Sequence, residues 1–253
     1  MKDIFISFIV QPFYNILILL VDFFTTDLGV AIIVLTIVIR TLLYPLSKSQ
    51  IRTQIKMQQI QGPLKEIQNK HKDNREVMGK EMLKLYREHK VNPFSGIFLL
   101  MIQLPILIGL YYVFMNSGLP EINSSLIYSF VPSPDFINTN FLGMIDLTSK
   151  SILLAILAMV TQFIQMKIIF PKTDKTKIAS NNGELNTENM MKSVQTQMLY
   201  VMPVILLFIS YTFGAIIALY ILVGNLYSIG QELYIRKNLK KVDVSNATPS
   251  INS

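Results

Sequence analysis

The chain has 253 residues, of which 51% are hydrophobic and 15% are charged, and its formal net charge is +7. Long apolar stretches at this composition exclude an ordinary soluble domain and predict an all-α polytopic membrane protein. The absence of cysteine excludes disulfides, thiolate metal sites and a cysteine nucleophile. The two histidines, His71 and His89, lie in a charged segment, so neither a catalytic group nor a metal or other cofactor is expected in the membrane.

Residues 1–27 are predicted to form a segment on the outer side of the membrane. The apolar stretch at residues 4–24 is interrupted by Gln11, Pro12 and Asn15. We expect an amphipathic helix from about residue 12 to residue 25 that lies on the outer surface. A sixth span or an uncleaved signal are the alternatives that the residues leave open.

The first predicted span, residues 28–46, contains a single charged residue, Arg40. An arginine at the centre of a membrane helix costs roughly 2.5 to 3.5 kcal/mol, so such residues usually face a polar cavity or a partner. Thr36, Arg40 and Tyr44 are four residues apart, which predicts a polar stripe on one helix face that continues to Ser47. From this residue alone, snorkelling to the headgroups and a functional role are equally good interpretations.

Residues 47–92 are predicted to form a cytoplasmic helical hairpin. Apolar residues recur near helical spacing, Gly62 and Pro63 predict a kink or break, and Asp73 with Glu76 has the spacing of a capping box. The segment contains eleven lysines and arginines. A solvated loop whose apolar stripes pack together is favoured over a nucleic-acid site, and a docking surface for phosphates is the functional alternative.

Four further spans follow the hairpin, and together with the first span they give five. They occupy residues 94–115, 152–170, 198–213 and 215–233, separated by an extracellular loop at 116–151 and a cytoplasmic loop at 171–197. The loop at 116–151 carries only Lys150, whereas the loop at 171–197 and the tail at 234–253 each carry four basic residues. The positive-inside rule therefore places the N-terminus outside and the C-terminus in the cytoplasm.

Polar side chains in the spans form the candidate site. Apart from Glu232 at the cytoplasmic end of the fifth span, the other spans contain no acidic residue, so a buried ion pair is not expected for Arg40. For each polar residue alone, an interhelical hydrogen bond is the simpler interpretation. Together with the unpaired arginine they predict a hydrated groove open to the cytoplasm. The predicted groove residues are Arg40, Thr36, Tyr44, Gln103, Gln162, Gln165, Asn225, Ser228 and Gln231.

Several stretches resemble the YidC family of bacterial membrane protein insertases, and they follow its order over most of the chain. They include QPFYNIL, GVAIIVLTIVIRTLLYPLSKSQ, EMLKLYREHKVNPFSG, LLMIQLPILIGLYYVFM and LYILVGNLYSIGQELYIRKNLKK. The resemblance implies a five-helix insertase core with a cytoplasmic hairpin, in the bacterial inner or plasma membrane. It also implies a hydrophilic groove, open to cytoplasm and lipid, in which Arg40 attracts acidic residues of an entering substrate. The second and fourth spans would then guide the transmembrane segment of that substrate.

The implied partners are nascent membrane proteins with transmembrane segments and membrane lipids. Whether the general secretion channel and the ribosome are also partners stays open, and no direct nucleic-acid recognition is expected. Two other classes compete with an insertase and chaperone. A small-solute transporter or channel would use Arg40 for an anion, but the five unequal spans show no repeat. A membrane-embedded enzyme would need a constellation of histidine, cysteine and acidic residues in its spans, and this sequence lacks one.

Overall fold

A computed structural model describes residues 2–23, 27–72, 74–92, 95–116, 119, 121–169 and 187–247. The chain starts with α1 (Lys2–Phe5), a π-helical turn (Ile6–Val10) and α2 (Gln11–Phe23), followed by α3 (Leu28–Leu42) and α4 (Tyr44–Gln59). Next come α5 (Gln61–Lys70), α6 (Arg75–Glu88) and α7 (Ser95–Asn116). The short strands β1 (Asn140–Phe141) and β2 (Ile145–Asp146) precede α8 (Ile152–Ile169), α9 (Thr187–Thr212) and α10 (Ala215–Ala247).

The helices are those of an all-α membrane protein. In the described part of the chain, three helical stretches are long and apolar enough to cross a membrane: Ile6–Phe23, Ile152–Ile169 and Ala215–Leu239. The pair α3 and α4 makes a fourth if it is taken as one bent span. Shorter apolar stretches lie at Leu104–Phe114 and Gln197–Thr212. The count of five spans stays a prediction.

The first predicted span is not one straight helix. α3 ends at Leu42, and α4 leaves it at an angle of 61°. Pro45 in the first turn of α4 explains the break, because proline has no N–H to donate and its ring clashes with the carbonyl four residues earlier. The predicted stripe is therefore wrong beyond Arg40, since Tyr44 and Ser47 belong to the next helix.

Two details of the predicted hairpin also differ. The break falls at Ile60, between α4 and α5, so that Gly62 and Pro63 lie in the first turn of α5, where the missing proline N–H is tolerated. The cap of α6 is Asn74, whose Oδ1 accepts the N–H of Val77 at 3.1 Å, and not Asp73, which lies outside the described residues. α5 and α6 enclose a small apolar core of their own, formed by Ile60, Leu64, Tyr86 and Val91.

The N-terminal helix is longer and more deeply packed than predicted. Helical structure covers residues 2–23, and one face of α2 is fully buried. Asn15 ties it to the following loop, because its Nδ2 donates to the carbonyl of Leu126 at 2.7 Å and its Oδ1 accepts from the N–H of Tyr128 at 2.7 Å. The main apolar core contains residues from α2, α3, α7, α8, α10 and this loop, among them Tyr14, Leu17, Ile32, Leu110, Val131, Leu147, Ala158 and Ile217.

The loop at 116–151 is a folded cap, which the sequence did not predict. The N–H of Leu28 donates to Asn138 and the N–H of Ala215 donates to Ser149, both at 2.9 Å, so the cap closes over the first turns of α3 and α10. We call this the capped end of the molecule, and the opposite end, where α4–α6 lie, the hairpin end. Most of the predicted loop at 171–197 lies outside the described residues.

Candidate functional site

Arg40 lies in the last turn of α3, on the side of the molecule that leads to the hairpin end. It follows Leu28 by twelve residues, which places it about 18 Å along the helix from the capped end at 1.5 Å per residue. A hydrocarbon core about 30 Å thick has its midplane about 15 Å from either boundary, so a span that begins at Leu28 would carry Arg40 beyond the midplane. Its side chain is half-buried.

The guanidinium of Arg40 packs across the backbone of α10 at Gly224. A Cβ placed on Gly224 would lie 2.9 Å from Nη2, 3.4 Å from Nε and 3.5 Å from Cζ of Arg40. A larger residue at this position would therefore displace the guanidinium. Sequence reasoning missed Gly224, because a helical glycine signals close approach without saying what approaches.

The surroundings of Arg40 are polar but not acidic. Among the described residues Arg40 takes part in no ion pair. The next residue, Thr41, forms an exposed hydrogen bond of 3.0 Å between its Oγ1 and Tyr227 Oη. Ser228 Oγ donates to the carbonyl of Gly224 at 2.8 Å, so it satisfies the backbone under the guanidinium. The positive charge is left to solvent or to another molecule.

Two predicted groove residues are buried and hydrogen-bonded inside the bundle. Thr36 is 1% exposed, and its hydroxyl donates to the carbonyl of Ile32 in the preceding turn at 2.6 Å. Asn225 Nδ2 donates to the Ala158 carbonyl at 3.2 Å and to Thr161 Oγ1 at 3.3 Å. Asn225 thereby joins α10 to α8.

The remaining predicted residues lie on four helices. Tyr44, at the start of α4, is half-buried, as are Gln162 and Gln165 on α8. Gln231 on α10 is 9% exposed, and its Nε2 has no hydrogen-bond partner among the described residues. Gln103 belongs to α7, but its side chain lies outside the part of the structure that is described.

A second polar cluster, near the hairpin end, was not predicted as a unit. Glu232 is buried and accepts from Arg236 Nε at 2.7 Å, so its ion-pair partner is Arg236 and not Arg40. Arg236 Nη1 lies 3.4 Å from Gln58 Oε1, and Gln58 Nε2 donates to the carbonyl of Ile169 at 2.8 Å. The cluster connects α4, α8 and α10.

The outer face of α9 is strongly apolar. Its exposed side chains include Val204, which is 59% exposed, and Phe208, which is 71% exposed. Pro203 lies inside this helix and Pro105 inside α7. Within the described residues, no group of three or more His, Cys, Asp or Glu side chains is arranged to hold a metal ion.

Comparison with known proteins assigns the chain to a family. The sequence model of the 60Kd inner membrane protein family matches residues 19–242. The membrane protein insertase YidC of Clostridium tetani (strain Massachusetts / E88) is 34% identical over 210 residues, which cover 83% of this chain and 81% of that protein. The protein of the same name from Oceanobacillus iheyensis is 32% identical over 219 residues, or 85% of this chain and 76% of that protein.

Longer relatives share the same core. The membrane protein insertase YidC of Pelobacter propionicus is 32% identical over 212 residues, which are 83% of this chain and 35% of that protein. The match therefore covers about a third of this relative. The chain belongs to the YidC family of membrane protein insertases, which are multi-pass proteins of the bacterial inner membrane and not enzymes.

Proposed function

We propose that this protein inserts integral membrane proteins and helps them fold, through a hydrophilic groove open to cytoplasm and lipid in which Arg40 receives acidic residues of the substrate. The observation that carries the proposal is the position of the guanidinium. It lies beyond the midplane, packs on Gly224 and has no ion-pair partner among the described residues. The substrate supplies the missing carboxylate.

The energetics favour this arrangement. An unpaired arginine at membrane depth costs a few kcal/mol in the resting protein. A guanidinium offers five N–H donors, and a carboxylate that enters can accept two of them side by side. The pair forms only while an acidic segment is present, so Arg40 holds the segment transiently and releases it when the adjacent helix moves into lipid.

The other groove residues divide by burial. Tyr44, Gln162, Gln165 and Ser228 are half-buried, and we propose that they keep water in the groove. Gln231 adds an unused amide donor, and Gln103 is proposed to line the groove from α7. Thr36 and Asn225, which are hydrogen-bonded internally, shape its wall.

The apolar faces of α7 and α9 are proposed to guide the transmembrane segment of the substrate. The face of α9 around Val204 and Phe208 exposes large side chains. A guest helix that packs on them gains roughly 25 cal/mol for each Å² of apolar surface removed from water. This gain offsets the cost of moving a short polar tail through the groove.

The orientation is part of the same proposal. The basic segments at 47–92, 171–197 and 234–253 lie in the cytoplasm, and the capped end with the N-terminus lies outside. The groove then faces the ribosome and the general secretion channel, which are proposed as further partners. We also propose that α2, which covers most of the helix predicted at residues 12–25, lies at the outer surface with its buried face packed against the bundle.

The test is insertion into liposomes that contain the purified protein. The substrate is a small single-span protein with an acidic tail that must cross the membrane, and protease protection of the tail measures insertion. We expect Arg40→Ala to lower insertion about tenfold or more, because a hydrogen bond to a charged group contributes about 1.5–3 kcal/mol. Arg40→Lys keeps the charge and should retain much of the activity.

Two controls separate a specific role from a general one. Arg52, an exposed arginine of α4, provides a matched substitution, and Arg52→Ala should leave insertion unchanged. A substrate whose tail carries Asn and Gln in place of Asp and Glu should not depend on Arg40. Unchanged insertion of the acidic tail by Arg40→Ala would sink the proposed role of the arginine.

A further inference from the structure

The tip of the β1–β2 hairpin exposes large apolar side chains. Leu142 is 66% exposed and Met144 is 85% exposed, and between them lies Gly143. No residue from Asn138 to Ile145 is charged. An apolar tip of this kind is unusual, because turns of hairpins in water usually consist of Asn, Asp and Gly.

The backbone conformation at the tip makes a leucine at position 142 more unusual still. Leu142 has a φ of 51° and Gly143 has a φ of 70°, so both lie in the left-handed region. Glycine adopts this conformation freely and asparagine tolerates it, whereas a leucine there is disfavoured. The folded chain does not bury this side chain, so its place in the turn is not explained by the internal core.

The hairpin is fixed to the first turn of α3. Asp27 caps that helix through Oδ1, which accepts from the N–H of Gly29 at 2.8 Å, while its Oδ2 accepts from the N–H of Leu142 at 3.1 Å. The ring of Phe141 occupies the space that a Cβ at Gly29 would need. The tip is therefore held at the level where α3 begins.

This level coincides with the edge of the apolar surface of the helices. Five residues separate the end of β2 at Asp146 from the start of α8 at Ile152. Ile152 is 55% exposed and Leu153 is 58% exposed. A membrane-spanning helix starts at the boundary between headgroups and acyl chains, so side chains that project beside these starts meet that boundary.

We propose that Leu142 and Met144 insert into the acyl-chain boundary of the leaflet at the capped end and anchor the cap to lipid. Lipid is chosen over a protein partner because the tip is uncharged and continues the exposed apolar surface at the start of α8. The anchor holds the cap, and through Asp27 the first turn of α3, at a fixed depth.

The experiment uses the absence of tryptophan from the chain. Met144→Trp introduces a single indole at a highly exposed position, and the full-length protein is reconstituted in liposomes with and without lipids brominated near the headgroup end of the acyl chains. Glu121→Trp, at an exposed charged position of the cap, is the aqueous control, and Ile156→Trp, on the exposed apolar face of α8, is the lipid control.

We expect the indole of Met144→Trp to emit at shorter wavelength than that of Glu121→Trp and to be quenched by brominated lipid at least about twofold more strongly. Quenching of Met144→Trp no stronger than that of Glu121→Trp overturns the proposal. This holds even if the emission moves to shorter wavelength, because an indole covered by protein instead of lipid would be shielded from water but not quenched by the brominated lipid. Adding Leu142→Asn, which suits the left-handed backbone but removes an apolar side chain, should reduce the quenching. An unchanged value would exclude Leu142 from the anchor.

Discussion

The two ends of the molecule treat their polar groups differently. At the capped end, Asp27, Asn15 and Tyr14 are buried and each is hydrogen-bonded to backbone N–H groups of neighbouring segments. Toward the hairpin end, Nε2 of Gln231 and Nη2 of Arg236 are buried without a hydrogen-bond partner in the described part of the chain. Arg40 lies between the capped end and the hairpin end, and it forms no ion pair among the described residues.

This difference indicates what each end does. A buried polar group that is satisfied within the chain rigidifies the structure, whereas an unsatisfied one costs free energy until water or another molecule reaches it. The hydroxyl of Ser210, near the end of α9, is an exception to the pattern, because it is buried and the described residues offer it no hydrogen-bond partner. The capped end is closed by its own bonds, whereas polar groups beyond it keep hydrogen-bonding capacity that the described residues do not use.

The largest effect on stability is expected at the cap. In Gly29→Ala the new Cβ overlaps the ring of Phe141, so the cap must move or the first turn of α3 must distort. Overpacking of this kind costs about 1–3 kcal/mol. We expect a lower midpoint of thermal unfolding for the purified protein in detergent.

Gly79→Ala on α6 is the matched control, because a Cβ there meets no atom within 4 Å. It should leave the midpoint unchanged or raise it, since alanine is favoured over glycine in a helix by up to about 1 kcal/mol. If both alanine variants unfold alike, the close packing of the hairpin on α3 is not what holds the cap.

A smaller and more specific effect is expected at Gly224. The three atoms nearest to the Cβ of Gly224→Ala all belong to the flexible end of the Arg40 side chain, so the protein should stay stable while the guanidinium shifts. A shifted hydrogen-bond donor weakens its interaction without removing it, and we expect insertion of an acidic tail to fall about two- to fivefold. The neutral-tail substrate should insert as before.

Gly230→Ala on the same helix has open space around the new Cβ and serves as its control. Equal insertion by both variants would show that the contact between Arg40 and α10 does not matter for activity. A loss for acidic and neutral tails alike would point to a general distortion of α10.

Much of the helical fold could be predicted from the sequence because apolar runs and their flanking charges are local signals. The third predicted span, 152–170, corresponds to α8 almost residue for residue. The bend after Leu42 does not follow from the apolar run, because the run continues through Pro45 to Leu46 and so predicts a single span. The length and hydrophobicity of an apolar run do not predict the angle between two helices within it.

The site was harder to predict, because it depends on contacts between distant parts of the chain. Arg40 was found from its charge in an apolar run, but its neighbour Gly224 lies far along the sequence. The cap was missed for a similar reason. Its hydrogen bonds join Asp27 to Leu142 and Ser149 to Ala215, and the separate segments carry only the weak signals of turns.

The smallest effect is expected for Asn225. Its substitution tests whether this residue only supports the wall of the groove or also contacts the substrate. Asn225→Ala removes the donors to the Ala158 carbonyl and Thr161 Oγ1, but Thr161 keeps its own hydrogen bond to Leu157 at 2.9 Å. Hydrogen bonds between membrane helices contribute about 0.6 kcal/mol on average, so the unfolding midpoint should fall slightly. Insertion should stay close to that of the wild type, because the amide faces α8. The opposite result, normal stability with weak insertion of acidic tails, would mean that Asn225 acts on the substrate beside Arg40 and does not merely hold α10 against α8.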